Sequence, residues 1–83
     1  MPDRQDSIIK ITRIPIGAAA RIVSIEGDRT TWERLHEVGL HIGDRLKLIR
    51  EAALDGPLLV ECNGHEIALG RNVAVNISVQ ILS

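Results

Sequence analysis

The sequence predicts a mainly β fold, a small closed barrel with one α-helix inserted between strands. Three observations carry that expectation. Hydrophobic residues make up 45% of the chain, yet Phe and Tyr are absent and Trp32 is the single aromatic. The core must therefore be built from Ile, Leu and Val, and such β-branched abundance favours strands. Asp44-Arg45-Leu46-Lys47-Leu48-Ile49-Arg50 alternates with the period of a half-buried strand. About five short strands in one small chain would leave exposed edges, which closure into a barrel removes.

Residues 1–7 are polar and read as a disordered lead, and 8–83 as one domain. Ile8, Ile9, Ile11, Ile14 and Ile16 are dense, but Pro15 and Gly17 interrupt them, so a short strand or turn gives way to a loop. Ala18–Ile25 is extended, with Ala20, Ile22 and Ser24 sharing a face. Thr30-x-x-Glu33 has the form of a capping box, in which hydroxyl and carboxylate each satisfy a backbone N–H at a helix start. The helix is expected over Thr31–Val38, with Trp32, Leu35 and Val38 as the apolar stripe facing the core. Gly39 suits its left-handed C-terminus, and Gly43 marks the turn into the next strand.

Beyond that strand, Asp55-Gly56-Pro57 turns the chain and Leu58–Cys62 runs back. Asn63-Gly64 is a strong hairpin signal, because both residues tolerate positive φ. His65–Leu69 returns, Arg71–Asn76 makes a helical or 3₁₀ turn with Ala74 inward, and Ile77–Leu82 closes the sheet. Leu46, Leu48, Val60 and Ile67 are expected inside.

Ten basic and eleven acidic residues give a formal charge of −1. That balance supplies no field to concentrate phosphates and argues against nucleic-acid binding. Arg21, Arg45, Lys47 and Arg50 read as a solvated strand face diluted by Asp44, Glu51 and Asp55. One cysteine, Cys62, excludes an internal disulfide and fits a reducing compartment. No stretch approaches the ~20 apolar residues of a membrane span, and Met1–Asp6 lacks the apolar core of a signal peptide, so the expected location is cytoplasmic. No phosphate-binding glycine motif or nucleophile signature occurs, and an enzyme is not expected. Cys62-x-x-His65 spans the hairpin turn, with Glu66, His41 and His36 as further conceivable ligands. A structural zinc site needs about four ligands at matching spacing, so Cys62 reads as a small buried apolar residue and His65 as a solvated one. His36 and His41 straddle the Gly39 break, and helical spacing cannot pair them. No cofactor is expected.

Several features occur together in an order that resembles the FeoA family of bacterial ferrous iron transport. They are Pro15-x-Gly17, Ala20-Arg21-Ile22, Arg34-Leu35-x-Glu37-x-Gly39-Leu40-x-x-Gly43, Gly56-Pro57-Leu58, Gly64-x-x-Ile67-Ala68-Leu69 and Ala74-x-x-Ile77-x-Val79. The resemblance implies an SH3-like β-barrel. It also implies a cytoplasmic accessory of FeoB, a membrane ferrous-iron transporter with a cytosolic GTP-binding region. Related domains end metal-dependent repressors, so a stand-alone regulatory domain of that kind is one alternative; a small metal carrier using Cys62 and His65 is another. Where the family pattern runs Ala-Leu-Arg, this chain has Ala68-Leu69-Gly70-Arg71, which displaces the arginine by one residue.

Leu40 and Ile42 lie in a loop between two glycines, where they either pack inward or project as a docking knob. The knob is the expected arrangement, because the glycines at either end fix the loop's shape. Leu40, His41 and Ile42 contact the transporter, and Arg34 and Glu37 on the outward helix face form a polar rim. Homo-oligomerisation stays open, since a barrel of this kind can pair through an exposed strand.

Overall fold

Turn chemistry lays out the sheet. Asn63 and Gly64 take φ of 54° and 82°, the two left-handed positions of a type I′ turn. They join β4 (Leu58–Cys62) to β5 (His65–Leu69) in register from Cys62↔His65 to Leu58↔Leu69. β3 (Arg45–Glu51) pairs with β4 on its other side, and β2 (Ala19–Ile25) pairs with β3. β6 (Ile77–Ile81) lies between β2 and β1 (Ile8–Lys10), so the antiparallel order is β1-β6-β2-β3-β4-β5. The computed structural model describes residues 8–82; the expected disordered lead lies outside them.

Two irregularities bend this six-stranded sheet. The register shifts between Ile22 and Ser24 in β2, and between Leu48 and Arg50 in β3. Bulges add local twist, and here they turn one face inward. Ala20, Ile22, Leu46, Leu48, Leu58, Val60, Cys62, Leu69, Ile77 and Val79 are all buried on it. Ile67 is half-buried and packs at the margin. The 3₁₀ turn Ile11–Arg13 adds Ile11, and α2 (Arg71–Ala74) adds Ala74. The expected mainly β, SH3-like architecture is therefore present, but the expected closure is not made by strand pairing among the described residues: β1 and β5 end the order and each pairs on one side only.

The helix differs from expectation in two respects. α1 spans Arg29–Glu37, two residues earlier than expected, because Asp28 caps it: the Thr31 N–H donates to Asp28 Oδ1 at 2.9 Å. The Thr30–Glu33 box is not used. Second, only Leu35 of the stripe is buried, while Trp32 and Val38 are 42% and 45% exposed. Of this nine-residue helix only Leu35 is buried, and it is the one residue that α1 contributes to the core.

Candidate docking face

The end of α1 is a Schellman motif. Gly39, at φ 96°, donates its N–H to His36 O at 3.0 Å, and Leu40 donates to Leu35 O at 2.9 Å. In this motif the residue after the glycine packs on the residue five before it. Leu40 accordingly joins Leu35 in the core and is 0% exposed. The expectation that Leu40 projects as a docking residue is corrected: the same glycine cap that fixes the loop draws Leu40 inward.

His41–Asp44 then forms a second tight turn. Asp44 N–H donates to His41 O at 3.0 Å, and Asp44 Oδ2 accepts from His41 N–H at 2.9 Å and lies 3.2 Å from His41 Nδ1. Gly43, at φ 96°, holds the third position, as a type II turn requires. Gly43 and Ile22 tie the turn to β2, through Gly43 N–H to Ile22 O at 2.8 Å and Ile22 N–H to Asp44 O at 2.9 Å. Ile42, at the second position, stands 55% exposed on a fixed backbone.

The chain reversal at Gly39 also folds His41 back over the last turn of α1. The His41 ring meets His36 edge-on with centroids 4.4 Å apart, and His36 stacks on Trp32 at 3.8 Å. Spacing within one helix could not foresee the histidine pair, because the contact is made across the break. Trp32 was expected in the core; instead its indole covers His36 at the surface. The result is a ridge of Trp32, His36, His41 and Ile42. Arg34 and Glu37 are exposed on the same helix.

The metal-carrier arrangement is not assembled. Cys62 is 2% exposed, and burial, followed by the charge of Asp44, pushes its thiol up. That disfavours the thiolate a metal would need. His65 is exposed, and among the described residues no three His, Cys, Asp or Glu side chains are placed to hold an ion. In the basic strip, Arg21 and Arg45 are opposite one another across β2 and β3, Lys47 is opposite Glu61 across β3 and β4, and Arg21 donates to Gly43 O at 2.9 Å. The displaced Arg71 lies 3.9 Å from Glu51. None of the described helices is long and apolar enough to cross a membrane.

Fold and surface together define a small SH3-like domain with an inserted helix and an exposed aromatic and aliphatic ridge. The FeoA domain family matches residues 9–81. A Methanocaldococcus jannaschii protein described as Fe(2+) transport protein A is 33% identical over 64 residues, 77% of this chain and 76% of that protein. The solution structure of a FeoA protein from Chlorobium tepidum superposes with a TM-score of 0.82 at 35% identity, over 90% of this chain and 71% of that one. The chain belongs to the FeoA family. A manganese-dependent transcriptional repressor reaches a TM-score of 0.86 at 18% identity, over 98% of this chain and 44% of the repressor, a likeness of fold alone.

Proposed function

We propose that this protein is a cytoplasmic, non-enzymatic accessory of ferrous iron uptake. It docks on the cytosolic GTP-binding region of a FeoB-type membrane transporter and promotes or regulates transport by contact, with no resident cofactor. Membership of the FeoA family across residues 9–81 carries this reading. The docking face is Ile42 and His41 with the Trp32–His36 stack and Glu37 at its polar rim. Arg34, expected in that rim, is about 160° around the helix from Trp32 and borders the opposite flank. A half-exposed tryptophan beside an exposed isoleucine suits the centre of a modest interface. Leu40 supports that face from beneath, by fixing the turn that presents Ile42.

Pull-down of the transporter's cytosolic region tests the reading. Ile42→Asp and Trp32→Ala should each weaken capture by about ten-fold or more, the loss expected for a central contact, with circular dichroism unchanged. Folded variants that still bind and support iron uptake as the natural chain does would move the interface elsewhere.

A further inference from the structure

Leu54 is 99% exposed, more than any other large apolar side chain among the described residues. It sits at the tip of the β3–β4 connection. Leu54 and Asp55 have φ of 59° and 58°, and Gly56 N–H closes the turn on Ala53 O at 3.1 Å. Below it, Ala52 N–H donates to Pro57 O at 2.9 Å. Both central positions are left-handed, where Asn, Asp and Gly are the usual residues. A leucine there is strained, because its Cβ crowds the following carbonyl oxygen, and in the single chain no burial offsets it. An apolar side chain held in solvent by an unfavourable backbone is an outlier that points toward function.

A receptor of matching chemistry lies at the same end of the molecule. A cavity of about 230 Å³ is lined by Leu35, Val38, Ala68, Leu69 and Val73, with Arg34 at its side. Leu58, next after the turn, pairs with Leu69, and Glu51, just before it, faces Arg71. A cavity of about 150 Å³ admits a benzene ring, so this one has room for a leucine side chain. The charges also match. Asp55 neighbours the projecting leucine and Arg34 borders the cavity, and neither makes an ion pair among the described residues.

We propose that a second copy of this chain receives Leu54 in that cavity, with Asp55 against Arg34, in a reciprocal two-fold pair. Projection and cavity share one end of the molecule, so a single two-fold axis can seat both leucines and close the assembly. One side chain and one ion pair per copy make a small interface, and the dimer is weak and reversible.

Sedimentation of the full chain across a concentration series up to about 1 mM, the range in which weak pairs form, tests this. The natural chain should self-associate. Leu54→Gly should weaken association by about ten-fold or more, while the denaturation midpoint holds or rises, since glycine relieves the turn. Val38→Lys, on the cavity wall, should weaken it likewise. Asp55→Arg and Arg34→Asp should each weaken it, and the two together should restore it, as a direct pair requires. A chain that stays monomeric overturns the proposal, as does a dimer insensitive to Leu54→Gly or to Val38→Lys. It is equally overturned if the monomeric chain loses only capture of the transporter region on Leu54→Gly, which would make the transporter the occupant.

Discussion

A thiol in an aliphatic interior behaves as a hydrocarbon until it must ionise. Cys62 lies inward on β4, and burial holds its pKa above the ordinary value. The sign of the pH dependence follows. The unfolded chain releases this proton first, so the stabilising contribution is complete below the unfolded pKa of about 8.5 and declines as pH rises beyond it. The folded protein should therefore react slowly with a thiol reagent at neutral pH and rapidly in denaturant, read as absorbance against time; equal rates would place Cys62 at the surface. Asp28 has the opposite sign. The Thr31 amide and hydroxyl hold its carboxyl below the usual range, a contribution present above the unfolded pKa and lost as acid protonates the cap. The buried character of Cys62 was legible in its place on an alternating strand. The choice of Asp28 over Thr30 as the cap was not, because both are good N-cap residues and lie two positions apart.

At the scale of elements, α1 and the turn after it form one device. The Gly39 stop was legible because a left-handed helix end favours glycine, and so was the hairpin at Asn63-Gly64. The fate of Leu40 and Ile42 was not, because both are aliphatic, two residues apart, and flanked by the same glycines. Hydrogen bonding separates them: Leu40 is the residue that the Schellman motif turns inward, and Ile42 sits at the tip of the next turn. Leu40→Ala should cost about 2–5 kcal/mol by urea denaturation, as buried leucines do. Ile42→Asp should stay within about 0.5 kcal/mol, as exposed sites do. Similar costs at both positions would mean that the two turns are not arranged as described. Gly39→Ala isolates the cap itself. No heavy atom lies within 4 Å of the added Cβ, so any loss is the price of the backbone conformation alone, about 1 kcal/mol.

For the molecule as a whole, stability is concentrated in the middle of the sheet. Ile22, Leu48 and Val79, on β2, β3 and β6, are at most 1% exposed, and each of these strands has neighbours on both sides. β1 pairs only with β6, over Ile8–Lys10, and is further tied by the Lys10–Glu26 ion pair at 2.8 Å, which is solvent-exposed. Exposed pairs of that kind contribute little. α1 is held by its two caps, Leu35 and Leu40. Such a distribution opens locally from the margins before it unfolds globally. Amide hydrogen exchange should therefore find Ile22 and Leu48, which donate to Asp44 O at 2.9 Å and Ala18 O at 3.1 Å, among the slowest. Amides of the first turn of α1 and of β1 should exchange at least about ten-fold faster, a gap of ~1.4 kcal/mol. The aliphatic core makes this gradient steep, since no buried aromatic spans from the sheet to the helix to bind the two into one cooperative unit. Uniform protection across β1, α1 and β3 would instead mean that the helix and the barrel unfold together, and that the docking face is as rigid as the core beneath it.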